Sequence, residues 1–144
     1  MPSLHNLKWL RRRLLSWRKA RLNRTAGLSI HDTASVSLAA KFLVRGGGKV
    51  EVGERTLVAF NTLIIADGAQ SGGETTRIGS RCFIGAGAII ASGVSIGDGC
   101  IVAAGAVVLD DIPTGCLVAG NPAAIMREGL DLLDYGRLPH PHGR

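Results

Sequence analysis

IGSRCF-IGAGAI-IASGVS-IGDGCI-VAAGAV, residues 78–107, reads as five consecutive hexads. An aliphatic residue recurs every six positions, at Ile78, Ile84, Ile90, Ile96, Val102 and Val108. A small residue (Cys82, Ala88, Val94, Cys100, Ala106) stands four places after each of the first five aliphatics. A period of six is neither the 3.6 of a helix nor the plain 2 of a strand. It is the signature of a hexapeptide β-helix, in which each unit is one short strand and a corner, and successive coils stack like on like. The interior is narrow, so one large side chain fits per face and the corners take small ones.

Working outward, Val52, Val58 and Ile64 keep the spacing, as do Ile30, Val36 and Phe42. The step from Phe42 to Val52 is ten, which predicts a bulge at RGGGK, Arg45 to Lys49. The step from Ile64 to Ile78 is fourteen, which predicts that GAQSGGETTR, residues 68–77, leaves the coil. The step of four from Val108 to Ile112 predicts that the regular helix ends at DDIP. Three hexads make one turn, so the chain has material for about four coils, stacked about 4.8 Å apart as paired strands are. The expected fold is therefore all-β, a parallel β-helix spanning residues 28–127, between an N-terminal segment 1–27 and a tail 128–144. Its 144 residues suit a single domain. With 4% aromatic residues it matches an interior too narrow for rings, and its apolar residues never run long enough for a membrane span.

Charge is distributed unevenly. Residues 1–24 carry eight Lys and Arg and no acid, whereas the other 120 hold nine basic residues against all eleven acids, a formal −2. Leu7, Leu10, Leu14 and Trp17 follow helical steps, so a basic amphipathic helix places them on one face. Two roles stay open for it: a cap that shields the edge strands of the first coil, or an anchor on an anionic membrane surface through residues 1–24. No recognised nucleic-acid-binding motif accompanies the charge, so nucleic acid is not an expected partner. No apolar stretch of secretory length follows the arginines. The expected location is the cytoplasm, with peripheral contact at the inner face of the membrane if the anchor role holds.

The cysteines obey the same periodicity. Cys82 and Cys100 are eighteen apart, one full coil, and Cys116 stands in the same place relative to Ile112. They are expected to form an inward stack of small side chains. With no C-x-x-C pair, neither a metal site nor a disulfide framework is expected.

From Ile78 to Arg127 the sequence, ending in AGNPA (Ala119 to Ala123) after an IP turn, resembles the left-handed β-helix, hexapeptide-repeat acyltransferases, among them the galactoside, serine and capsule-polysaccharide acetyltransferases. The resemblance is looser, but in phase, from Ile30 to Ala66. It implies a left-handed coil, against the usual crossover preference, and a homotrimer with active sites in the grooves between subunits. It implies acetyl-CoA or another acyl-CoA as co-substrate, with no metal. The cofactor would lie along backbone at Gly85, Ala86, Ala103, Ala104 and Gly105, with Arg127 kept from the family's basic ending. It implies a histidine general base that deprotonates the acceptor, on a saccharide or lipid-linked glycan. A γ-class carbonic anhydrase shares the coil but needs three metal-binding histidines, whose number and spacing are missing here.

The sequence departs from that pattern where the base belongs. Ala69 takes the histidine's place, with Asp67 and Gln70 beside it. The four histidines, His5, His31, His140 and His142, all lie elsewhere. Ala106 replaces the family's serine, and Asp110 and Ala124 replace lysines, which weakens attraction for coenzyme A phosphates. Asp67 is the first candidate for a substitute base, with Glu74 in the same loop and His31 as alternatives. A carboxylate serves only if an interface raises its pKa. The competing expectation is a non-catalytic trimeric scaffold or ligand-binding relative that has lost its base.

Overall fold

The computed structural model describes residues 4–69 and 74–139. His140, His142 and Gln70 lie outside those residues. A helix, α1 (Leu4–Leu22), leads into a parallel β-solenoid whose strands stack into three sheets. Sheet A holds β1 (Leu28–Ile30), β4 (Lys49–Val52), β7 (Thr75–Ile78) and β10 (Ser95–Ile96). Sheet B holds β2 (Ser35–Val36), β5 (Leu57–Val58), β8 (Phe83–Ile84), β11 (Ile101–Val102) and β13 (Leu117–Ala119), extended by β14 (Ala124–Arg127) running antiparallel to β13. Sheet C holds β3 (Lys41–Arg45), β6 (Leu63–Asp67), β9 (Ile89–Ile90) and β12 (Val107–Val108). Each coil visits A, B and C in turn, and four coils are complete.

The register matches the hexads residue for residue. Ile84 sits above Val58 and below Val102, and Ile90 between Ile64 and Val108. All of these are buried. The corners hold the small residues: Thr56, Cys82, Cys100 and Cys116 stack at the A-to-B edge, and Ala40, Thr62, Ala88 and Ala106 at the B-to-C edge. The cysteines are free and buried. The Cys82 and Cys100 thiols face the carbonyls of Gly97 and Pro113. Where the stack carries a threonine instead, its hydroxyl is satisfied, Thr56 Oγ1 donating to Gly79 O at 2.7 Å. The third residue of a corner adopts positive φ, which favours glycine at Gly87, Gly93, Gly99 and Gly105, although Arg55, Asn61 and Arg81 take the same place lower down.

Three sequence expectations need correction. RGGGK is not a bulge. Its extra residues lengthen β3 to five residues and β4 to four, and only Gly46 to Gly48 turn. The excursion at 68–77 is shorter than expected, because Thr75–Ile78 is β7 and pairs along its length with β4. The cause is the same in both places: the lengthened strands of one coil give those of the next a backbone ladder to pair with, Arg45 opposite Asp67 and Lys49 opposite Thr75. Finally, DDIP does not end the coil. Ile112 bridges to Ile96 in parallel, and β13 continues sheet B.

The lower end is capped and one edge is strapped. Helix α1 forms because its nineteen residues contain neither Gly nor Pro, and its last turn carries Lys19 and Arg21, which suit the negative end of the helix dipole. Its second half lies under the first coil. Arg18 donates to the carbonyls of Ser37 and Ala40, and Lys19 to that of Asp32. Asn23 exchanges both hydrogen bonds with the Ile30 backbone, at 2.9 and 3.0 Å. These are edge groups that would otherwise be unpaired. The docking face is Leu15, Arg18, Lys19 and Leu22, and the stripe of Leu7, Leu10, Leu14 and Trp17 points elsewhere. Beyond β14 the chain runs back down the A-to-B edge as a strap. Leu130 N–H donates to Gly115 O, Leu132 is buried, and Tyr135 reaches Thr33 O at 3.1 Å.

Candidate functional site

Two features stand out from the repeat, and they sit on different edges of the prism. The first is the widened C-to-A corner made by the lengthened strands. Asp67 ends β6, and Arg45, one coil below, ends β3. Their register pairing brings Arg45 Nε to 2.7 Å from Asp67 Oδ2. The other carboxylate oxygen accepts the Ala69 N–H at 3.1 Å. One coil above, where the corner returns to ordinary width, Ser92 fills the step: its Oγ accepts Asp67 N–H at 2.7 Å and donates to Glu74 Oε2 at 2.8 Å. Thr76 Oγ1 donates to Ile65 O and accepts Gly93 N–H, closing the corner from inside.

The electrostatics follow from these partners. The Ala69 N–H and the Arg45 guanidinium hold Asp67 below the usual carboxylate range, outweighing the partial burial that acts the other way. Within one protomer, then, Asp67 is an ionised and well-satisfied carboxylate, a weak proton acceptor. Ala69, in the position where a histidine was expected by resemblance, packs closely on the turn below. A Cβ built on Gly46 would stand 2.6 Å from Ala69 N.

The second feature is the B-to-C edge of the upper coils. Gly85 and Ala86 lie one coil below Ala103, Ala104 and Gly105. Gly85 has a structural reason for lacking a side chain, since its Cβ would stand 2.5 Å from Ala104 N. Ala86, Ala104 and Gly105 face outward, with nothing within 4 Å of a Cβ at Gly105. Gly105 N–H donates to Ala86 O at 2.9 Å, while the N–H groups of Ala86 and Ala104 find no backbone partner among the described residues. This edge exposes backbone donors along a shallow track without bulky side chains. Arg127 ends β14, exposed at the top of sheet B.

Sheet C separates the two edges, so a single protomer does not bring Asp67 to the small-residue track. Above the first coil, the outward column at the start of the sheet C strands is apolar, with Leu63, Ile89 and Val107 half-buried over an exposed Lys41, and Leu57, Phe83, Ile101 and Leu117 do the same on sheet B over Ser35. Sheet A instead presents Glu51 and Arg77, paired at 2.7 Å. His31 lies at the first A-to-B corner, exposed, its Nδ1 accepting Thr33 N–H at 3.2 Å. It is remote in the fold from both features. Arg45 and Ser92 were not anticipated from the sequence. For Arg45 the signal was available, because its distance to Asp67 equals that from Phe42 to Ile64. Nothing in the sequence singled out Ser92. Among the described residues no group of His, Cys, Asp and Glu could hold a metal ion, and no helix is long and apolar enough to cross a membrane.

Comparison with known proteins agrees with this architecture. Residues 75–110 match the family described as "Hexapeptide repeat of succinyl-transferase". The chain is 32% identical over 127 residues to a serine acetyltransferase of Synechococcus elongatus, covering 82% of this chain and 51% of that protein. It is 32% identical over 115 residues to serine acetyltransferase 2 of Arabidopsis thaliana, covering 76% and 35%. The chain thus spans about half, or less, of the length of these curated relatives. Among solved structures, a maltose O-acetyltransferase from Clostridium difficile 630 superposes with a TM-score of 0.53 at 27% identity, over 70% of this chain and 63% of that one. A galactoside acetyltransferase in complex with coenzyme A shares the fold, with a TM-score of 0.59 at 22% identity over 89% and 84% of the two chains. The fold is that of these hexapeptide-repeat β-helices, and residues 75–110 carry the repeat itself. The curated relatives it resembles here are both serine acetyltransferases.

Proposed function

We propose that the chain is an acyl-CoA-dependent O- or N-acyltransferase that works as a homotrimer. The observation that carries this reading is the B-to-C edge, where the small residues Gly85, Ala86, Ala103, Ala104 and Gly105 form a track that leaves the Ala86 and Ala104 N–H groups without backbone partners among the described residues, in a coil 32% identical to serine acetyltransferases. A thin amide-bearing arm such as that of acetyl-CoA suits such a track, with Arg127, across the top of sheet B opposite Leu117, the proposed partner for its phosphates. Above the first coil two of the three outer faces carry an apolar column, and a ring needs two different faces per copy, which supports a closed trimer. Such packing also answers the separation of the two edges, since the widened corner of one copy can face the track of another.

In the reaction the acceptor's hydroxyl or amine attacks the thioester carbon. The C–S bond breaks as the new C–O or C–N bond forms, and the acceptor's proton leaves through a base to the departing thiolate. Asp67 is the proposed base, with His31 the weaker candidate. For Asp67 to serve, a neighbouring copy must desolvate it or draw Arg45 away. The acceptor is proposed to be a small hydroxyl- or amine-bearing molecule, including a saccharide or lipid-linked glycan, and the setting the cytoplasm, where acyl-CoA is made. In this reading 1–27 closes the coil, 28–127 is the transferase body and 128–144 its tail.

A second reading is supported by a specific observation. The Asp67 carboxylate is already paired, and Ala69 stands where the base was expected. A trimer that binds acyl-CoA without turning it over fits those facts. Transfer from acetyl-CoA to a panel of amino acids, sugars and amines separates the two. An active wild type should lose about a hundredfold or more in kcat in Asp67→Asn and little in His31→Ala. If the wild type is inactive but binds acetyl-CoA, the second reading replaces the first.

A further inference from the structure

The helix under the first coil has two faces with different chemistry, and only one of them is used by the coil. Leu15, Arg18, Lys19 and Leu22 close the open end, whereas every residue from Leu7 to Leu14 is exposed, so the first half of the helix stands clear. Leu7, Leu10, Leu14 and Trp17 continue as a stripe along the free face, exposed by 60, 51, 47 and 63%. Beside it Leu14, Trp17, Leu22 and Leu38 line a groove. Arginines border the stripe. Arg13 lies 4.7 Å over the Trp9 ring, and Arg21 lies 5.7 Å over that of Trp17.

We propose that this face docks on an anionic lipid surface. Charge complementarity and exposed apolar area coincide on it. Residues 1–24 hold eight basic residues and no acid, on a protein whose remainder is slightly acidic; Arg18 and Lys19 serve the cap, and the other six are exposed. A partner must therefore be negative and must also accept leucine and indole side chains. An anionic bilayer offers both, with phosphates for the guanidinium groups and an interface where tryptophan rests. A second copy of the helix would set two such positive segments against each other with no acid to pair them. The stripe is narrow and charge reaches into it through Arg21, so attraction to headgroups supplies much of the binding, and salt should weaken it. Capping and docking use different sides, so both hold at once. The first coil and the widened corner then lie nearest the lipid.

The test does not depend on acyl transfer. Both tryptophans of the chain, Trp9 and Trp17, are on this helix, so intrinsic fluorescence reports on it alone. The full chain is mixed with vesicles of phosphatidylcholine and phosphatidylserine, or of phosphatidylcholine alone, and followed by tryptophan emission and co-sedimentation. Binding with a blue shift is expected on the anionic vesicles only, and is reversed by salt. Arg13→Gln/Arg21→Gln/Arg24→Gln, all exposed, should weaken it about a hundredfold, roughly fivefold per charge, and Leu7→Ser/Leu10→Ser about tenfold. Both variants should melt as the wild type does, because neither touches the docking face. Absence of binding, equal binding to neutral vesicles, or an unaffected triple variant overturns the proposal. So does a loss of oligomeric mass in Leu7→Ser/Leu10→Ser without vesicle binding by the wild type, which assigns the stripe to a second copy.

Discussion

The upper and lower halves of the solenoid follow different rules. From β8 upward each strand is two residues long until β13, each corner is four residues or fewer, and the outward strand positions are apolar or small. Below, β3, β4, β6 and β7 run to four or five residues and meet at a corner carrying Arg45, Asp67 and Glu74. Stacking explains the upper half almost completely. Ile90 fills the one large place on its face, and Gly85 is glycine because the next coil's backbone lies against it. In the lower half stacking explains the strands but not the choice of charged residues. Departures from a tight repeat therefore mark one place where chemistry can reside. The upper edge matters for the opposite reason, since its emptiness is what a linear ligand would use.

Substitutions can sharpen this contrast. The largest effect is expected from Ile90→Ala, which leaves a cavity between Ile64 and Val108 in the fully buried core and should cost about 3 kcal/mol in urea unfolding. Gly85→Ala forces a Cβ into the next coil and should cost about 2 kcal/mol. Gly105→Ala, open to solvent but at φ of 71°, should cost only about 1 kcal/mol. Equal losses at the two glycines would mean that stacking does not set the upper edge. At the lower end, Asn23→Ala removes two hydrogen bonds to Ile30 and should lower stability by about 1 kcal/mol, with freer end-to-end association in light scattering. Asp67→Asn should matter least for stability, but its pH dependence is diagnostic. A carboxylate held below its unfolded pKa stabilises fully above about 4 and stops doing so as the pH falls through the folded value. The variant should therefore trail the wild type at neutral pH and converge with it in acid.

The sequence showed the fold plainly because the interior admits one large residue per face, so any error in phase would be visible. It misled at Arg45 to Lys49 and at 68–77 because extra residues were read as leaving the coil. A further signal lay beside them: Phe42 and Val44, Val50 and Val52, Ile64 and Ala66, Thr76 and Ile78 alternate with period two, as lengthened strands should. Val50, Ala66 and Thr76 are in fact fully buried. The helix was legible as a helix, but not which face would dock, because Arg18, Lys19 and Asn23 act by pairing with backbone groups of the first coil, and apolar periodicity does not register such bonds. The site was legible in its parts. Asp67 and the small-residue track could both be named, yet their placement on separate edges depends on which corner each hexad turns.

The central claim is that the empty B-to-C edge is an acyl-CoA track completed by a neighbouring copy. Isothermal titration of the full chain with acetyl-CoA and with desulfo-CoA, on material whose mass by light scattering is about three times the 15.1 kDa protomer, tests it most directly. The account predicts saturable binding of both ligands, one per protomer, abolished in Ala104→Trp while the trimer persists. A clean monomer, or a trimer that binds neither ligand, would contradict it.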